Sequence, residues 1–147
     1  MNKEFSIVTD TATIAIFDLQ SIKHRISDAP DWWSIVEDEI QEVNNGNIAI
    51  FGLGEDGKFD IKISEDVRNE DGVLNLKFLS GYVFVGAGED TTGGELEPDG
   101  SDVIQGELLE FEPGSYQVKY KKVDGLIQFS FSRSNINVND LTVPIRF

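Results

Sequence analysis

Ser115-Tyr116-Gln117-Val118-Lys119-Tyr120-Lys121 and Leu126-Ile127-Gln128-Phe129-Ser130-Phe131-Ser132 are two alternating runs separated by Lys122-Val123-Asp124-Gly125. Tyr116, Val118 and Tyr120 share one side of the first, and Ile127, Phe129 and Phe131 share one side of the second. A period of two is what a strand with one buried face requires, because successive side chains point to opposite faces. The Asp-Gly step between the runs supplies the positive φ of a tight turn, so the segment predicts an antiparallel hairpin.

The pattern recurs outward from this hairpin. Phe59, Ile61 and Ile63 alternate with Asp60 and Lys62, and Leu74, Leu76 and Phe78 alternate with Asn75 and Lys77. Less alternating apolar runs at residues 13–17, 47–51, 81–85 and 108–111 are expected where both faces are covered. The turns Glu55-Asp56-Gly57 and Pro113-Gly114 suggest two further hairpins, pairing residues 47–52 with 59–64 and 108–111 with 115–121. Residues 135–147 read as a final irregular strand that Pro144 holds at an edge. With about eight strands at this spacing, the expected fold is mainly β: an antiparallel β-sandwich, or an open barrel, formed as a single domain over residues 1–147. A chain of this length buries roughly 68 to 70% of its unfolded surface, enough for a core without disulfides, and it contains no cysteine.

One segment has helical period. From Asp31 to Val43, Trp32, Trp33, Val36, Ile40 and Val43 gather on one side at 100° per residue, with Asp31, Asp38 and Glu42 opposite. Asp28 and Pro30 suit its start and Asn44-Asn45-Gly46 its stop. Ile35 falls among the acids, as a scattered surface residue or a contact for a docking partner. Residues 86–102, rich in Gly, Asp, Glu and Thr, read as one long loop, and loops of that length are usually functional or disordered.

The net charge is −15, and its placement is uneven. Between Ile26 and Gly57 there are eight acids and no Lys or Arg; between Phe78 and Val118 there are nine and again none. The remaining residues carry slightly more bases than acids. Such a surface repels nucleic acid and anionic membranes and complements a basic protein. The partner-binding residues expected from this distribution are Asp31, Ile35, Asp38 and Glu42 on the helix and Glu89, Asp90, Glu95, Glu97, Asp99 and Asp102 in the loop. No long apolar run marks a membrane-spanning helix or a leader, so a cytoplasmic setting is expected.

Catalytic readings fail one by one. Gly52-Leu53-Gly54-Glu55-Asp56-Gly57 matches G-x-G-x-x-G, but a strand follows it instead of a helix N-terminus, and its two acids oppose a pyrophosphate. Glu95, Glu97, Asp99 and Gly100 begin like a calcium loop, yet the position that needs a bidentate Glu is Gly106. Added calcium is therefore expected to leave the melting temperature unchanged. The single His24 and the lack of Cys leave no nucleophile with a base and no His-rich metal site, so no enzyme, cofactor or metal is expected. A small-ligand or carbohydrate site lined by Trp32, Trp33, Tyr82, Tyr116 or Tyr120 is the alternative to a protein-binding surface.

Leu109-Glu110-Phe111-Glu112-Pro113-Gly114-Ser115-Tyr116-Gln117-Val118, preceded by Asp31-Trp32, resembles the competence protein J family, bacterial inhibitors of a nuclease that acts where DNA enters the cell. The likeness spans residues 31–132 as an arrangement of strands, and the long acidic loop departs from that family's shorter connection. The resemblance implies a β-sandwich that binds and blocks a basic nuclease. The expected role is thus an inhibitor or immunity-type protein acting on a basic partner such as a nuclease or toxin.

Overall fold

The structure, a computed structural model, describes residues 1–147. Its strands are β1 (Lys3–Thr9), β2 (Thr13–Asp18), β3 (Ala49–Gly52), β4 (Gly57–Ile63), β5 (Gly72–Phe78), β6 (Tyr82–Ala87), β7 (Gly106–Glu110), β8 (Gly114–Val123), β9 (Leu126–Arg133) and β10 (Ile145–Arg146), with one α-helix, α1 (Val36–Asn44), between β2 and β3. They form two five-stranded sheets, ordered β1-β4-β9-β8-β5 and β10-β3-β2-β6-β7. Neither closes into a barrel, so the sandwich form of the expectation holds. Each sheet contains one parallel pair, β4 with β9 and β10 with β3, so the sheets are mixed.

The hairpin read from residues 115–132 is present in register, with Val118 opposite Phe131 and Tyr120 opposite Phe129. Its apolar face meets the other sheet: the Phe51 ring of β3 lies 4.8 Å from that of Tyr120 and 5.5 Å from that of Phe129. All but one of the buried apolar residues, Val67 being the exception, form one cluster of 29 that draws on both sheets and on Trp32, Trp33 and Val43. β2 is buried at every position, with β3 and β6 nearly so, as their weak alternation suggested.

The other two expected hairpins do not form. β3 pairs with β2 and β10, whereas β4 pairs with β1 and β9, so the Gly52–Gly57 turn carries the chain from one sheet to the other. The same is true of Pro113-Gly114, which links β7 in one sheet to β8 in the other. Gly-rich turn chemistry serves a crossing between layers as well as a tight hairpin, and only the long-range pairing distinguishes them. Tyr116 secures the second crossing by donating its hydroxyl to the Glu112 carbonyl at 2.7 Å. β1 was not anticipated; Phe5, Ile7 and Thr9 alternate, but only Ile7 and Thr9 are buried at this sheet edge. Asp18 was also unforeseen. It is fully buried and accepts from the Gln20, Ser80 and Gly81 N–H groups and the Ser80 hydroxyl, tying the end of β2 to the turn before β6.

The helix is shorter than its periodicity suggested. Trp32–Ser34 form a 3₁₀ turn and Ile35 is extended, with φ −83° and ψ 115°. α1 therefore starts afresh at Val36 with a different phase: Glu39, Glu42 and Val43 point inward and Val36 outward. The predicted stop is observed, and Gly46 takes φ +72° after the last turn. A Cβ there would lie 2.0 Å from the Asn137 carbonyl oxygen, because the C-terminal arm passes directly over it. Asn139 bonds that arm to Val43 and Asn75, and Asn44 bonds it to Leu141. Gly46→Ala is expected to cost about 1 to 3 kcal/mol in denaturant unfolding, from positive φ and the backbone clash together. The arm ends in β10, an edge strand as Pro144 implied. No helix is long and apolar enough to cross a membrane.

Candidate functional site: an acid-rich face where two segments meet

The segment that leads into α1 and the loop after β6 lie against each other. The Gly94 N–H donates to the Asp28 carbonyl and the Glu95 N–H to the Ile26 carbonyl, each at 2.7 Å. The Trp32 indole N–H donates to the Thr92 carbonyl at 2.7 Å, and Lys23 pairs with Glu97. Gly93 and Gly94 make this approach feasible, since a Cβ on either would press on Ala29, Pro30 or Trp32. Two stretches that are acid-only in sequence thus become neighbours in space, at residues 26–32 and 92–97.

Arg25, one residue before the first acid-only stretch, organises this region. Its Nε donates to Glu42 Oε2 at 2.6 Å and its Nη1 to Asp28 at 3.0 Å, and its Nη2 lies 3.5 Å from Asp38. The guanidinium stacks on the Trp32 ring, 4.7 Å from its centroid. His24 Nε2 donates to the same Glu42 oxygen at 2.6 Å, and Asn47 Nδ2 donates to the other at 2.8 Å. Burial works to raise the Glu42 carboxyl, but the hydrogen bonds from Arg25, Asn47 and His24 outweigh it and hold the group below the usual range. Glu42 is thus a buried structural anion.

The anticipated partner-binding residues divide accordingly. Asp31, Ile35, Glu95, Asp99 and Asp102 are exposed, and Asp38 and Glu97 are half-buried at the same junction or in its loop. Glu42 is buried, and Glu89 and Asp90 are taken up by the fold. Glu89 accepts from the Thr9 and Thr11 hydroxyls and the Asp10 N–H. Burial opposes its ionisation, but those bonds prevail and lower its pKa. Asp90 accepts from the Gln105 N–H, yet burial, with Glu89 and Asp10 nearby, leaves its carboxyl raised.

Exposed apolar residues stand among these acids, including Ile35, 52% exposed, Leu96, 74% exposed, and Val103 beside Asp102, 82% exposed. Sequence reasoning missed Leu96, although its position between Glu95 and Glu97 matches that of Ile35 among acids. Exposed apolar side chains ringed by charge are the usual makeup of a contact surface. No group of three or more His, Cys, Asp or Glu side chains is placed to hold a metal ion. Trp32 sits in the core with its indole N–H bonded to the Thr92 carbonyl, so it offers no open stacking platform for a sugar; Trp33, bonded to the Pro30 carbonyl, is nearly buried and lines one cleft.

Fold and face together describe a two-sheet β-sandwich with one helix and an acid-rich loop closing one side. The chain belongs to DUF6386, a family of unknown function, which it matches over residues 1–147. No curated protein matches it. Among solved structures it is similar to "Crocagin biosynthetic gene J", with TM-score 0.58 and 15% identity, covering 92% of this chain and 98% of that one. It is also similar to ComJ of Bacillus subtilis, an inhibitor of the DNA degrading activity of NucA, with TM-score 0.54 and 14% identity, covering 90% of this chain and 96% of that one. The resemblance read around Leu109 to Val118 is thereby borne out as a shared fold.

Proposed function

We propose that this chain is a cytoplasmic inhibitor or immunity-type protein that binds a basic partner, such as a nuclease or toxin, through the face bearing Asp31, Ile35, Asp38, Glu95, Leu96, Glu97, Asp99 and Asp102. The observation that carries this reading is the packing of residues 92–97 on residues 26–32, which makes the two acid-only stretches neighbours in space. Charges gathered within a few Debye lengths, each about 8 Å at physiological salt, add to a coherent field. Such a field steers an oppositely charged partner and raises its association rate by about 10- to 10³-fold at low salt. The fold shared with an inhibitor of a DNA-degrading protein supports the reading further. The consumption of Glu42, Glu89 and Asp90 within the fold narrows the surface.

Affinity capture from the source cell at low salt is expected to recover a protein of high pI. Stoichiometric addition of this chain is expected to suppress that protein's nuclease or toxic activity, and the suppression is expected to fade as salt rises. Recovery of neutral or acidic partners only, or suppression indifferent to salt, would sink the proposal.

A further inference from the structure

Beside the acid-rich face, the start of α1 and the ends of β2 and β3 enclose a cleft of about 360 Å³, lined in part by Thr11, Thr13, Trp33, Val36, Glu39 and Arg146. Glu39 lies in its wall and is only 5% exposed. No hydrogen bond holds its carboxylate; burial pushes its pKa up, and the charge of Arg146 draws it back in part. Arg146 forms no ion pair with it. Its Nη1 donates instead to the Ile145 carbonyl at 3.2 Å, and its stem passes over Gly52, where a Cβ would come 2.5 Å from Cδ.

Glu42, one helical turn further along, makes the contrast. It is equally buried and has a guanidinium, an imidazole and an amide on its two oxygens. Buried carboxylates are costly unless so satisfied, and an open cleft beside an unsatisfied one leaves room for a cation from outside. The cleft also borders the acidic face, since Ser34 and Val36 line it and Ile35 lies between them in the chain.

We propose that the Glu39 cleft receives an arginine side chain of the basic partner, with the guanidinium on the two free carboxylate oxygens and the aliphatic stem against Trp33 and Val36. This rests on the reading of the chain as a binder of a basic protein. Arginine suits the site better than lysine. Two unbonded oxygens match its planar fork, and a guanidinium sheds water more readily than an ammonium beside an aromatic ring. Arg146 is exposed, and its one side-chain hydrogen bond is to the adjacent residue, so it is free to turn outward as the incoming cation takes its place.

The test is a titration by NMR of the free protein with n-butylguanidinium, n-butylammonium and butyrate, following the Trp33 indole N–H and the Gly52 and Gly54 amides. n-Butylguanidinium is expected to shift these signals in a saturable way, n-butylammonium more weakly and butyrate not at all. Glu39→Gln is expected to weaken guanidinium binding about tenfold, the loss of one charge-assisted hydrogen-bonding partner. It removes a charge that burial disfavours and that Arg146 offsets only in part, so its melting temperature is expected to hold or rise. Arg146→Gln is expected to leave binding unchanged or tighter, because a competing cation is gone. The proposal is overturned if wild type gives no saturable shift with n-butylguanidinium, if Glu39→Gln binds it as well as wild type, or if butyrate binds and Arg146→Gln abolishes that binding, which would mark an anionic ligand. A basic partner whose binding Glu39→Gln leaves unchanged overturns the cleft proposal and leaves the partner reading. Probe binding through Glu39 with no basic partner recovered does the reverse.

Discussion

Arg25→Met is expected to destabilise the protein by about 3 to 5 kcal/mol at neutral pH, the cost of removing one partner from a buried ion pair. Methionine retains much of the stem that lies on Trp32, so the loss reports the charge and its hydrogen bonds. Arg25 reaches Glu42, Asp28 and Asp38 together, and without it those acids face one another with His24 and Asn47 as the remaining donors to Glu42. The sign of the pH dependence separates this mechanism from a packing defect. In the wild type the Glu42 pKa is depressed below its ordinary value of 4.5, so its contribution is complete above that pH and is lost as pH falls through the lower folded value. In the variant burial dominates and the folded pKa rises above the unfolded one, so protonation favours the native state and stability recovers as pH falls towards 4.5. Denaturant unfolding at pH 7 and pH 5 is expected to show the gap between the two proteins narrowing at the lower pH. A gap of constant size would point to lost packing instead.

Arg25 also shows where reading the chain as a string stops. Charge along the sequence marked an acid-only stretch beginning at Ile26, and the base that pairs with three of its acids sits one position earlier. Linear windows measure composition, whereas pairing depends on which side chains the fold turns toward one another. The hairpin at residues 115–132 was legible because its alternation and its Asp-Gly turn are local. The crossings at Gly52–Gly57 and Pro113-Gly114 were not, because the same residues make a hairpin or a change of sheet according to where distant strands pair. The helix failed for a related reason. A continuous 100° count assumes unbroken α geometry, and the extended Ile35 resets the phase, which buries Glu39 and Glu42 and exposes Val36. The loop read over residues 86–102 is shorter than that, since β6 runs to Ala87 and Gly88–Asp90 form a 3₁₀ turn, and the contact of its irregular part with residues 26–32 is tertiary information carried by backbone groups that every residue possesses.

Replacing Asp31, Glu95 and Asp99 together with lysine is expected to slow association with the basic partner by about 10- to 10³-fold at low salt while leaving dissociation nearly unchanged. All three are exposed and none forms an ion pair, and the one bond lost is that from the Ser101 N–H to Asp99 at 3.0 Å, so the fold is expected to tolerate the change within about 1.5 kcal/mol. Reversal raises net charge by six, from −15 to −9, confined to the face in question, so steering is lost there while the chain remains acidic overall. The effect is expected to shrink as salt rises toward physiological strength, where the screening length falls to about 8 Å. Ile35→Ala with Leu96→Ala forms the complementary variant. Truncating exposed apolar contacts leaves the field intact, so association is expected to hold while dissociation speeds up, by roughly tenfold for a loss of about 1.4 kcal/mol. Surface plasmon resonance at two salt concentrations separates the two rate constants. If the lysine variant associates as fast as wild type at low salt, the acidic face is a solubility feature and the partner docks elsewhere.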